Sequence, residues 1–196
     1  MFNETWQTKR ERLWRSFVKL RETVEDTMTG EDLEARDALN RFYLEAFELR
    51  DWLLASDLDF AAKDAVGKLF GKPGKTAGTS IALAACADIA NASKHLTLTA
   101  TSYSTGSHAK VTHEDRAGVH DLPDLPGTAI DDVPRFGDYQ WMWIISAGGK
   151  QYDALLLAED AMRDWETYLV SQGLILLDPA GYHCGMNLDA PDTNQF

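Results

Sequence analysis

Residues 79–95 constrain this chain more than any other stretch. Thr79-Ser80-Ile81-Ala82-Leu83-Ala84-Ala85-Cys86-Ala87 runs into Asp88-Ile89-Ala90-Asn91-Ala92-Ser93-Lys94-His95. The composition predicts an alanine-rich apolar helix, with Thr79 or Ser80 as its cap. Asp88, Asn91 and His95 then fall at i, i+3 and i+7 and stack on one face. An acid, an amide and an imidazole on such a helix need partners, because buried polar groups are costly when unsatisfied. Catalysis, ligand binding and a structural hydrogen-bond network each supply them.

The flanking pattern is mainly helical. Trp6, Leu13, Phe17, Leu20 and Val24 recur at helical spacing and predict a helix over 4–27. Leu39, Phe42, Ala46, Leu49 and Leu53 mark a second over 31–56, a third covers 59–70, and the alanine-rich helix covers 79–96. The period then changes. The β-branched alternation of Leu96–Tyr103 predicts a strand over 97–103, paired with 109–113 through the Thr105-Gly106-Ser107 turn. Residues 114–138 read as a long polar loop. Tyr139–Ile145 predicts a strand over 139–147, turned by Gly148-Gly149 into a partner over 151–156. A last helix covers 158–172 and Gly173 ends it. Residues 1–178 thus read as one α+β domain: a bundle of about five helices with a small antiparallel sheet inserted before the last. Residues 179–196 read as an irregular tail.

Composition excludes several classes. No run approaches the ~18 apolar residues of a membrane span, and Met1–Trp6 lacks a signal-peptide pattern, so a cytoplasmic protein is expected. The net charge of −12 disfavours broad contact with a nucleic-acid backbone and suits a basic protein partner. The basic run at Lys9, Arg10, Arg12, Arg15, Lys19 and Arg21 reads as a helix face that pairs with acids elsewhere. Cys86 and Cys184 form no metal-type pair, and Cys86 reads as a small core residue.

The chemical motifs are sparse. Gly71-Lys72-Pro73-Gly74-Lys75-Thr76 is similar to part of a phosphate-binding P-loop, but Leu69 stands where the first glycine belongs and helix precedes it. A loop is the expected structure. His108, His113 and His120 lie near Glu114, Asp115 and Asp121, at a spacing that fits no compact ligand motif. Solvated loop residues are expected there, with a divalent-metal site as the alternative. No metal or cofactor is expected elsewhere. Trp141, Trp143 and Ile145 share a strand face, and Met142 and Ile144 make the other face apolar too. A doubly covered core strand is expected rather than a stacking platform. Arg50 sits between apolar residues of the second helix. If that helix packs on the fourth, Arg50 or Glu45 meets Asp88 or His95, and an arginine–carboxylate fork orients the imidazole.

Leu49-Arg50-Asp51-Trp52, followed by Asp88-x-x-Asn91-x-x-Lys94-His95, resembles a group of bacterial and phage proteins distantly similar to the HEPN superfamily. These are helical bundles found in toxin, CRISPR and phage-defence ribonucleases. The resemblance covers roughly residues 1–100 and the last helix. It implies a ribonuclease with His95 as the catalytic histidine, and association as a homodimer across this helix. The chain departs from the pattern. The active enzymes carry an arginine four to six residues before the histidine, and Ile89, Ala90 and Asn91 stand there instead. Arg116-Ala117-Gly118-Val119-His120 is close in spacing but falls in the loop. Without the arginine, stabilisation of the transition-state phosphate is in question.

The leading expectation is therefore a non-enzymatic HEPN-like protein, in phage or phage-defence biology. It would bind a partner or a small nucleotide-like ligand around Asp88, Asn91, Lys94, His95 and Arg50. One alternative is a metal-independent ribonuclease using His95 with Asn91, Lys94 and Arg50. The other is an acidic inhibitor of a basic, nucleic-acid-binding enzyme.

Overall fold

The computed structural model describes residues 4–25, 32–94, 101–117 and 140–176. Among these the fold is α+β and mainly helical. Five helices, α1 (Trp6–Glu25), α2 (Asp32–Ala55), α3 (Phe60–Phe70), α4 (Ile81–Lys94) and α5 (Ala154–Ser171), are joined by two small antiparallel sheets. One sheet pairs β1 (Gly71–Lys72) with β2 (Thr76–Ala77). The other has strand order β3 (Lys110–Ala117), β4 (Gln140–Ala147), β5 (Lys150–Asp153).

The helices form where an apolar stripe and a cap coincide. Leu13, Phe17, Leu20 and Val24 of α1 are buried against α2, where the Phe17 and Phe42 rings lie 5.9 Å apart. Asp59 caps α3 by accepting from the Ala62 amide at 2.8 Å, and Ser80 caps α4 by accepting from the Leu83 amide at 2.9 Å. Each cap satisfies an amide that the first turn leaves open. Every residue from 82 through 90 is buried. The alanines there let α4 approach α2 closely, since interhelical distance is set by side-chain size at the contact. Cys86 lies in this core, and burial pushes its thiol well above the ordinary value.

The basic face of α1 pairs with acids. Lys9 Nζ lies 2.7 Å from Glu45 and 2.5 Å from Glu48. Arg10 makes a two-pronged contact with Glu166 at 3.0 and 3.2 Å. Arg12 pairs with Glu4, and Lys19 with Glu34. Glu45 therefore answers Lys9 across α1 and α2. β4 is buried on both faces, with Trp141, Met142, Trp143, Ile144 and Ile145 all inside. The Trp141 and Trp143 rings stack at 5.6 Å within that packing, which leaves no open aromatic platform.

Three boundaries differ from the sequence reading. First, α5 starts at Ala154 rather than 158, and β5 is cut to Lys150–Asp153. Asp153 caps the helix through the Leu156 amide at 3.0 Å, and the Tyr43 hydroxyl donates to the Ala154 carbonyl at 2.9 Å. Second, residues 101–109 form a loop, not a strand, while β3 runs on through 114–117, read as loop from the sequence, to pair with β4, which places Arg116 in a strand. Residues 97–100 lie outside the described residues, as does the 179–196 tail. Third, 71–77 is a tight hairpin rather than an open loop. Gly71 holds φ +75°, and a Cβ there would stand 2.2 Å from the Thr76 carbonyl oxygen, so only glycine fits. Among the described residues no helix is long and apolar enough to cross a membrane.

Candidate functional site

Asp88 shows why 101–109 is a loop. α4 carries its carboxylate into the interior, fully buried. It accepts from the Tyr103 amide at 2.7 Å, the Ser104 amide at 3.0 Å, the Ala109 amide at 3.0 Å and the Ser102 hydroxyl at 2.8 Å. The Ser102 hydroxyl also lies within hydrogen-bond reach of the Ser104 and Ser107 carbonyls, winding the chain further. Three of these donors fall on Oδ2 and one, the Tyr103 amide, on Oδ1. Burial pushes the Asp88 carboxyl up, but it is outweighed by the hydrogen bonds from Ala109, Tyr103, Ser104 and Ser102, which hold it below the usual carboxylate range. Asp88 is thus ionised and held by four donors from the loop. His108 approaches it, with Nδ1 3.5 Å from Oδ1.

Arg50 holds the same loop from the other side. Its guanidinium lies 5.3 Å from the Phe47 ring centroid and 5.5 Å from those of Phe70 and Tyr103. Its Nη1 donates to the Tyr103 hydroxyl at 3.2 Å and lies 3.5 Å from Asp51. A cation among three rings is stabilised by their negative faces. The expected fork between Arg50 and Asp88 is not formed. Asp88 takes the amide of Tyr103 while Arg50 takes its phenol, so one residue is pinned at both ends.

The other residues of the stripe are placed less fully. Asn91 is half-buried one turn beyond Asp88, and Lys94 is the last residue of α4. His95 lies outside the described residues, as do His120, His183 and Cys184. Among the described residues no three histidine, cysteine, aspartate or glutamate side chains converge as a metal site would require.

The pinned loop builds a cleft. Ser102, Tyr103 and Thr105 line one wall, and Lys72, Lys75 and Thr76 of the β1–β2 hairpin line the other, around a cavity of about 230 Å³. The Gly74 amide donates to the Ser102 carbonyl at 3.0 Å and ties the walls together. A side chain at Gly74 would meet Thr101 at 2.9 Å. The volume is below the ~300–1,000 Å³ of drug-sized pockets and suits a small ligand. Lys72 and Lys75 are exposed, and neither forms an ion pair among the described residues.

The sequence reading passed over these two lysines by setting aside the P-loop similarity. The available signal was charge distribution. Between residues 65 and 113 the chain carries five lysines and one acid, Asp88, a local charge of +4 in a molecule of −12. No protein-family model, no curated protein and no solved structure matches this chain.

Proposed function

We propose that this chain is a non-enzymatic, HEPN-like helical protein that binds a small ligand, seated in the cleft between the β1–β2 hairpin and the Ser102–Gly106 loop. The observation that carries this reading is the engagement of Asp88 by the loop. The one buried acid of the polar stripe accepts four hydrogen bonds from the loop. Its carboxylate is committed to holding the loop, with three donors on Oδ2 and the Tyr103 amide on Oδ1, rather than poised to take a proton, as catalysis along the stripe would need. Its role is to shape a wall of the cleft, which supports binding over chemistry. Arg50 is held among three rings, away from a role as a free phosphate-clamping arginine.

The test is a ligand-observed magnetic-resonance screen of a small-metabolite mixture against the full chain. Three variants accompany it: Thr76→Trp, which fills the cleft from an exposed strand position, Asn91→Ala and His95→Ala. The reading predicts that hits persist with Asn91→Ala and His95→Ala and vanish with Thr76→Trp. Hits lost in Asn91→Ala and kept in Thr76→Trp would return the ligand to the stripe. RNA cleavage abolished by His95→Ala would replace the reading with the ribonuclease alternative.

A further inference from the structure

The cleft's electrostatics identify the class of ligand, an inference that rests on the binding reading above. Residues 65–113 carry Lys68, Lys72, Lys75, Lys94 and Lys110 against a single acid, while the whole chain carries 31 acids and 19 lysines and arginines. That single acid, Asp88, is buried and engaged by donors of the loop, so it pairs with neither hairpin lysine. Of the hairpin's neighbours, Lys68 is paired with Asp64 at 2.7 Å. Lys72 and Lys75, both lining the cleft, are the lysines there with no acidic partner among the described residues. A strongly acidic protein would ordinarily supply a carboxylate to exposed lysines. Two of them beside one cavity, with the hydroxyls of Thr76 and Thr105 among its lining residues, form a set of donors with no protein acceptor assigned to them among the described residues.

We infer that the cleft between the β1–β2 hairpin and the Ser102–Gly106 loop binds the phosphate or diphosphate group of a small molecule, with Lys72 and Lys75 as its charge-bearing contacts. Ammonium groups and hydroxyls are complementary to phosphoryl oxygens, which are charged and accept several hydrogen bonds at once. The rest of the surface, at a net −16 outside residues 65–113, repels anions and leaves this cleft as the favourable place for one. The same field disfavours a nucleic-acid strand, which needs a basic track longer than one cavity of about 230 Å³.

The test is calorimetric titration of the full chain with sodium pyrophosphate at low and at 0.5 M salt. It is repeated with Lys72→Ala, Lys75→Ala, the double variant and Thr76→Trp, and with adenosine as an uncharged probe. Both lysines are exposed, so the variants are expected to keep the wild-type circular-dichroism melt. The inference predicts saturable pyrophosphate binding that weakens about tenfold per lysine removed, weakens with salt and is absent in Thr76→Trp. Pyrophosphate affinity equal in wild type and double variant would overturn it. Adenosine binding that Thr76→Trp abolishes, with no heat from pyrophosphate, would overturn the anion assignment and leave the cleft as a binding site. No binding of either probe would count against both. Tight binding of a single-stranded oligonucleotide through both lysines, without pyrophosphate binding, would replace the small ligand with nucleic acid.

Discussion

Replacing Asp88 with alanine removes the acceptor for three backbone amides and one hydroxyl. Ser104 and Ala109 are buried, so at least two of the amides lose their partner where water does not readily replace it. Each such donor costs about 1–3 kcal/mol, and the partly exposed Tyr103 and Ser102 relax more cheaply. The expected loss is about 3–5 kcal/mol, read by urea unfolding at pH 7. At about 2–4 °C per kcal/mol for a chain of this size, the melting point falls by about 6–20 °C. Asp88→Asn keeps one acceptor oxygen and loses the charge, and is expected to cost about half as much. The pH dependence adds a second check. The folded carboxyl titrates below its unfolded value, so its stabilisation is complete above about pH 4–5 and is lost as pH falls through the lower folded value. The stability gap between wild type and Asp88→Asn is therefore level from pH 7 to about 5 and narrows below about 4. An Asp88→Ala variant within about 0.5 kcal/mol of wild type would refute the reasoning, because the loop would then owe its shape to something else.

Two further outcomes follow from the same geometry. Lys9→Met leaves Glu45 buried without its cation and is expected to cost about 3 kcal/mol in urea unfolding, with part of the loss recovered in Lys9→Met/Glu45→Gln. Burial lowers the Lys9 pKa, but Glu45 and Glu48 raise it further, so the lysine's contribution persists at neutral pH and fades only as pH rises beyond the ordinary lysine value. Gly71→Ala places a Cβ 2.2 Å from the Thr76 carbonyl oxygen at a positive φ. It is expected to cost about 1–3 kcal/mol and to shift the amide resonances of residues 72–77, whereas Gly67→Ala, where a Cβ meets nothing within 4 Å, leaves those resonances in place.

The helices and β4 were legible in the sequence because their signals are local. Leu13, Phe17, Leu20 and Val24 repeat at helical spacing, and Trp141–Ile145 has the apolar run of a doubly covered strand. Residues 101–103 misled for the opposite reason. Their β-branched neighbours favour a strand, but the Asp88 carboxylate, distant in sequence and contributed by another element, gathers the Tyr103 and Ser104 amides into a loop. Local propensity yields to such a tertiary acceptor. The start of α5 had a local signal, Asp153 three residues before Leu156, outweighed by the alternation of 151–156. At the site, the stripe of Asp88 and Asn91 was legible as a helical face, while its architectural role was not, since that depends on which amides reach the carboxylate. Lys72 and Lys75 required reading charge over a window of the chain rather than matching a phosphate-loop pattern residue by residue.

The most direct measurement of the central claim is the amide chemical-shift map of the full chain during a pyrophosphate titration. The account predicts that the perturbed amides cluster on residues 72–77 and 102–106, on the two walls of the cleft. Perturbations confined to the Asn91–Lys94 end of α4, with the hairpin silent, would contradict it and return the functional site to the polar stripe.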